Sequence, residues 1–309
     1  MNNLTVVIPL FNEESLINEL TKRVRQNIEI ITQNYQIILI DDGSEDRTWE
    51  LIAEEAGKDK RIFGIKLSRN FGHHYAISAG LKFSDSDWTI VMDGDLQDRP
   101  EVIPDLYKKA ESGYEVVFVS RQNRPEKIFY KIGQKLFYFL LNRLSGLNLN
   151  SRQANFSIIS RKVVDAFNLF PENARFYGST ISWLGFKRTE LIADHGQRFS
   201  GKPSYTLKKR VKLATDIILS FSERPLKFAI GLGITISSIT LVIGCWIILR
   251  FFIWGYPVIG WPSLILSTLF TGGTILTVLG IIGVYLGKVF QEVKKRPLFI
   301  VSEMLNGKK

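Results

Sequence analysis

The 309-residue chain carries 40 Lys and Arg against 30 Asp and Glu, a formal net charge of +10, and a single cysteine. A lone thiol excludes an intramolecular disulfide framework and fits a reducing compartment. The basic excess is not read as a nucleic-acid footprint, because its clusters (Lys208, Lys209 and Arg210; Lys294, Lys295 and Arg296) flank apolar segments, where they face anionic lipid headgroups. In chain order, residues 5–8, 37–40, 63–67, 89–92 and 116–119 are short apolar runs rich in β-branched residues and read as strands. Between them, 15–31, 47–56, 74–82 and 101–111 space their apolar residues as helices do. That rhythm predicts an α/β fold built from βαβ units with a mainly parallel sheet, whose ligands bind outside the carboxyl ends of the strands. The N-terminus has no basic region, and its apolar run is too short for a signal sequence, so this part is expected not to be exported.

Residues 127–144 mix aromatic bulk with Lys127, Lys131, Lys135 and Arg143, a pattern that fits either an interfacial helix or an ordinary core-facing one. The basic segment 206–221 runs directly into the apolar region and reads as interfacial. Residues 226–249 and 264–287 are each long enough to cross a hydrocarbon core of about 30 Å. They are joined by a short aromatic link, and Arg250 snorkels at the outer end of the first span. Basic residues flank the other ends, which puts both termini on the cytoplasmic side. Gly272, Gly273, Gly280, Gly283 and Gly287 suit close helix packing, and a homo-oligomer is expected from them.

Chemistry gathers where the strands end. Asp93-Gly94-Asp95 follows the fourth strand, and Gln97 and the helix start at Arg99-Pro100-Glu101 come next. Two acids one residue apart at a strand end can converge on a hard cation, Mg²⁺ or Mn²⁺, that bridges diphosphate oxygens. Asp41-Asp42-Gly43-Ser44 ends the second strand, where Asp41 or Asp42 could accept from a base N–H or ribose hydroxyls. Gly43 suits a tight turn there, and Asp46 reads as a helix cap. A third break occurs at Pro9-Leu10-Phe11-Asn12-Glu13-Glu14.

These motifs, together with Leu67-Ser68-Arg69-Asn70-Phe71-Gly72-His73, Ser120-Arg121 and the run from Arg198 to Tyr205, resemble those of the family 2 glycosyltransferases. With the apolar pair, the chain is similar to the polyprenyl-phosphate branch of that family, the dolichol-phosphate mannose synthases and bactoprenol glucosyl transferases. The resemblance implies a Rossmann-like GT-A nucleotide-sugar domain over 1–200, an interfacial segment over 201–224, a transmembrane hairpin over 225–290 and a cytoplasmic tail over 291–309. It implies a donor pocket of Pro9, Phe11, Glu13, Asp41, Asp42, Asp93, Gly94 and Arg121. Asp93, Asp95 and Gln97 would meet the metal and diphosphate, and Asp95, Asn155 and Arg198 would be the catalytic group. Acceptor contacts would fall to Lys127, Lys131, Lys202 and Ser204.

One departure carries information. Asn155 stands where family members often have an acid cast as the catalytic base. An amide cannot take a proton, but a phosphate monoester with a second pKa of about 6 is already mostly an oxyanion at neutral pH. The replacement therefore points to a phosphate acceptor, which Asn155 would position by donating a hydrogen bond. The expected partners are a nucleotide-sugar, a polyprenyl phosphate and a bilayer. The expected reaction is inverting, metal-dependent transfer of glucose from UDP-glucose. The alternatives are a GDP-mannose donor and a non-catalytic nucleotide-sugar-binding adaptor. A processive polysaccharide synthase is disfavoured, since no Trp directly follows an Arg and only two spans are read.

Overall fold

The computed structural model describes residues 3–121, 142–143, 153–170, 172, 176–193, 222, 224–254 and 260–307. They fall into two compact units, one holding every strand and the shorter helices, the other holding two long apolar helices.

The first unit alternates β1 (Leu4–Leu10), α1 (Ile17–Ile28), β2 (Tyr35–Asp41), α2 (Thr48–Lys58), β3 (Ile62–Leu67), α3 (His73–Phe83) and β4 (Trp88–Val91). A 3₁₀ turn at Pro100–Val102 leads into α4 (Ile103–Glu111), followed by β5 (Val116–Arg121). Next come β6 (Gln153–Ser160), α5 (Arg161–Leu169), α6 (Tyr177–Trp183) and β7 (Arg188–Ala193). The expected strands and helices through β5 are all present, with ends shifted by a few residues. β1 is buried at every position because both faces of the sheet are covered. Its alternate side chains serve two cores. Val6 and Ile8 pack with Leu20 and Val24 of α1, while Val7 packs with Ala76 and Ile77 of α3.

The eight strands run in the order β7-β5-β6-β4-β1-β2-β3-β8. β1 pairs in parallel with β2 and with β4, and β2 with β3. The chain therefore winds outward from β1 through β2 to β3, then returns through α3 to β4 on the other side of β1. That reversal opens a crevice at the carboxyl ends of β1 and β4, the place where such sheets bind ligands.

Two expectations are corrected. The sheet is mixed rather than mainly parallel, because β6 runs antiparallel to both β4 and β5, and only β7 restores a parallel pair. The regular strand–helix rhythm stops after residue 121, so the direction of β6 was not encoded in it. Residues 291–309 are also more than a tail, since β8 (Val301–Leu305) pairs antiparallel with β3 and closes that edge of the sheet. Its sequence, VSEML, is only partly buried, which is why it reads as polar chain. Asn306 locks the strand from a left-handed backbone conformation, its side-chain N–H₂ donating to the Ala56 carbonyl at 2.7 Å and the Ile62 carbonyl at 2.9 Å. Asn306→Ala is expected to lower the unfolding free energy by about 2 kcal/mol, roughly one for each hydrogen bond lost. Denaturant midpoints of the detergent-solubilised full chain measure this. A loss below about 0.5 kcal/mol would mean that ladder pairing alone holds β8.

The second unit contains α7 (Arg224–Trp254) and α8 (Trp261–Val293). At 1.5 Å per residue, they extend roughly 46 and 50 Å. Within them, Leu226–Trp246 and Phe270–Val293 are long and apolar enough to cross a membrane, with mean hydropathies of 2.1 and 1.8. At most 6% of either stretch is buried, whereas the core helix of a water-soluble protein would be mostly covered.

Candidate active site

Four loops at the carboxyl ends of β1, β2, β3 and β4 build one open cleft of about 260 Å³. Pro9, Leu10, Phe11, Glu13, Asp42, Asn70, Gly72, His73, Asp93, Gly94 and Asp95 line it.

The loops after β1 and β2 are laced together. The backbone N–H groups of Asn12, Glu13 and Glu14 donate to Ser44 Oγ (2.9 Å), Thr48 Oγ1 (2.9 Å) and Asp46 Oδ2 (3.2 Å). In return, the N–H of Glu45 donates to Asn12 Oδ1 and that of Arg47 to Glu14 Oε2. Asp46 also accepts from the Thr48 N–H at the start of α2, one residue before the N-cap position, which Arg47 occupies. Burial works against its charge, but the hydrogen bonds from Thr48 and Glu14 outweigh that and hold its carboxyl below the usual range. Phe11 stays 43% exposed on this wall, which leaves an aromatic face open to a ligand.

Asp41 and Asp42 part company. Successive residues of a strand point to opposite faces, and only Asp42 lines the cleft. Asp41 is fully buried, its Oδ1 accepting the Ser44 N–H at 3.0 Å and its Oδ2 without a hydrogen-bond partner among the described residues. Asp42 uses both oxygens to hold the next loop, accepting from the N–H of Phe71 at 2.8 Å and of Gly72 at 2.9 Å. Burial pushes its carboxyl above the usual range, against the pull of those two donors.

On the β4 side, Asp93 and Asp95 are half-buried and both line the cleft. Gly94 lets them approach, because a Cβ there would overlap the Leu10 side chain and stand 3.3 Å from the Pro9 carbonyl oxygen. Asp95 Oδ1 accepts the Gln97 N–H at 3.1 Å, so Gln97 braces the turn through its backbone and does not line the cleft. Among the described residues, no group of three or more His, Cys, Asp or Glu side chains is placed to hold a metal. Asp93 and Asp95 are the two cleft carboxylates that would hold a hard divalent ion.

His73, the last residue of the Leu67–His73 motif, also lines the cleft. Its Nε2 stands 3.2 Å from Asp93 Oδ1 and 3.1 Å from the terminal amide of Asn155. Burial opposes charge on this ring, but the carboxylates led by Asp93 outweigh it and raise its pKa above the ordinary value. The neighbouring His74 is pushed down to about 3 by burial, and its Nδ1 accepts the Tyr177 N–H at 3.4 Å. The available signal for His73 was its place just past the end of β3, on the same side of the sheet as the other motifs.

Arg121 ends β5, in register with Ala193 of β7. Arg198, Lys127, Lys131, Lys202 and Ser204 lie outside the described residues, as do most of 127–144 and 201–224.

The model of the family described as "Glycosyl transferase family 2" matches residues 5–167, from β1 to α5, more than half of the chain. The chain belongs to glycosyl transferase family 2. This glycosyltransferase is 36% identical over 300 residues, 97% of its own length and 93% of the relative's, to the uncharacterized glycosyltransferase YkcC of Bacillus subtilis (strain 168). It is 34% identical over 305 residues, 98% of its own length and 99% of the relative's, to the SfII prophage-derived bactoprenol glucosyl transferase of Shigella flexneri. Among solved structures it is similar to glucosyl-3-phosphoglycerate synthase from Mycobacterium tuberculosis in complex with Mn²⁺, uridine diphosphate and phosphoglyceric acid, with TM-score 0.49 and 17% identity over 71% of this chain and 76% of that one. As a glycosyltransferase with a GT-A-like α/β domain, the protein acts on a nucleotide-sugar donor and is related to enzymes that glycosylate lipid phosphates.

Proposed function

We propose that this glycosyltransferase moves glucose from UDP-glucose to a polyprenyl phosphate at the cytoplasmic face of a membrane, inverting the anomeric centre. The observation that carries this reading is the match to a bactoprenol glucosyl transferase over 98% of the chain, because it extends through both apolar helices. A water-soluble acceptor gives an enzyme no use for them.

In this reading, Pro9, Phe11, Glu13 and Asp42 receive the nucleoside, and Asp41 shapes that wall from behind by holding Ser44. Asp93 and Asp95 hold Mg²⁺ or Mn²⁺, which when bound supplies Lewis-acid neutralisation of the diphosphate. Gln97 keeps Asp95 in place. Arg121 and Arg198 contact phosphate, which a planar guanidinium suits. Lys127, Lys131, Lys202 and Ser204 serve the acceptor. An oxygen of the lipid phosphate attacks the anomeric carbon from the face opposite the diphosphate. One carbon–oxygen bond forms as the bond to the diphosphate breaks, and no proton moves, which is compatible with Asn155. Orientation and preorganised charge supply the rate.

Covalent topology supports the hairpin. β7 and β8 lie on either side of α7 and α8 in the chain yet belong to one sheet. Residues 193 and 301 therefore share one side of any bilayer, and the crossings between them are even in number.

The test is to incubate purified full-length protein with undecaprenyl phosphate, a divalent ion and either labelled UDP-glucose or labelled GDP-mannose, then extract lipid. Label is expected in lipid from UDP-glucose. Label from GDP-mannose alone would overturn the donor, and none from either would overturn the lipid acceptor.

A further inference from the structure

The loop that follows β3 gives Asn70 and Gly72 to the cleft and leads into His73. It is gripped from two sides. On the inner side, the N–H groups of Phe71 and Gly72 donate to the Asp42 carboxylate. On the outer side, the grip comes from the far end of the chain. The Ser68 N–H donates to the Ile300 carbonyl at 2.9 Å, and Ser302 Oγ donates to the Lys66 carbonyl at 3.1 Å. Between the anchors at Ser68 and Phe71 lie Arg69 and Asn70. The Arg69 guanidinium folds over the Phe71 ring, 4.2 Å from its centroid.

The outer grip is more than the end of a regular ladder. Val301 lies opposite Leu67 and Glu303 opposite Lys66, so Ser302 is the extra residue of a bulge. A bulge kinks its strand and interrupts regular pairing. This one falls where β3 gives way to the loop. Phe299 pins the same segment, packing against the core that β3 shares with α3. Lys82 of α3 stands over its ring, Nζ 5.8 Å from the centroid. Residues 294–298 alone separate Val293, the last residue of α8, from Phe299.

We propose that residues 299–302 are a strap that positions the donor loop. Phe299 and Ser302 lie outside the cleft lining, yet they hold Asn70, Gly72 and His73 in the arrangement that binds the nucleotide-sugar. The inference rests on the reading of this cleft as the donor site. Its energetic logic is preorganisation. A loop competent only about a tenth of the time raises the apparent dissociation constant about tenfold.

The test uses full-length, detergent-solubilised protein with Mn²⁺ present. It reads UDP and GDP dissociation constants by calorimetry, the melting temperature, and amide hydrogen exchange over residues 68–72. Wild type is compared with Phe299→Ala, Phe299→Leu, Ser302→Ala and Asn306→Ala. Asn306 braces the other end of β8, at the Ala56 and Ile62 carbonyls, so its loss weakens the strand without touching the strap. Phe299→Ala is expected to weaken binding of whichever nucleotide wild type takes by about tenfold, and Ser302→Ala by about threefold. Exchange over 68–72 should quicken in both. Phe299→Leu keeps the apolar packing and should recover most of the loss. Asn306→Ala should lower the melt while affinity stays within about twofold, as expected of a distant site. Affinity that simply tracks the melt across all four variants, or that holds in Phe299→Ala and Ser302→Ala alike, would overturn the strap. Wild type that binds neither nucleotide would instead remove the donor reading on which it stands.

Discussion

Asp95→Ala lowers kcat/KM for sugar transfer by about a hundredfold or more, close to 2.7 kcal/mol of transition-state stabilisation, with the fold left intact. Asp95 lines the cleft, and its Oδ1 accepts a hydrogen bond from the Gln97 N–H. Loss of that bond costs stability about 1 kcal/mol, which moves the unfolding temperature of a domain this size by only a few degrees. The effect on turnover is larger because charge builds on the departing diphosphate, and removing one well-aimed electrostatic partner at such a point costs roughly 10²–10³ in rate. Steady-state kinetics with saturating Mg²⁺ or Mn²⁺, set beside a thermal melt, separates the two effects. Turnover within threefold of wild type would remove the paired-carboxylate reading of this cleft.

The largest expected loss of stability comes from Gly43→Ala. Gly43 holds φ = 70°, in the left-handed region, where a side chain costs about 1 kcal/mol. A Cβ there would also stand 2.6 Å from the Asn70 backbone nitrogen and closer still to the Arg69 carbonyl carbon. Backbone atoms cannot swing aside as a side-chain tip does, so overpacking adds a further 1–3 kcal/mol. The sum is about 3 kcal/mol, or roughly 10 °C in unfolding temperature. The segment pushed away carries Asn70, Gly72 and His73 of the cleft, so UDP binding should weaken along with the melt. A melt within about 2 °C of wild type would show that the 69–72 segment yields freely.

The sequence exposes the fold wherever local period is strong. The strands and helices up to β5 repeat apolar residues at strand or helix spacing, and each is found. β6 and β7 were not read because their directions follow from tertiary pairing. β8 was not read because an edge strand with a glutamate at its centre carries little alternation. At the cleft, Asp93 and Asp95 were legible as acids at a strand end. Asp41 and Asp42 looked equivalent as a pair, but the two-residue strand period sends one into the interior and the other to the cleft. The surroundings of His73 could not be read locally, because its neighbour Asn155 lies 82 residues away.

The position of β8 has a consequence for biosynthesis. β3 is complete once residue 67 is made, but its outer hydrogen-bonding edge meets its partner only after residue 301 has been synthesised. Throughout that interval the nascent sheet carries an open rim, the kind of surface that recruits foreign strands. Fragments that stop after β7, often chosen to avoid detergents, would keep that rim for good and are expected to clump. Supplying residues 296–307 as a separate peptide should restore their solubility.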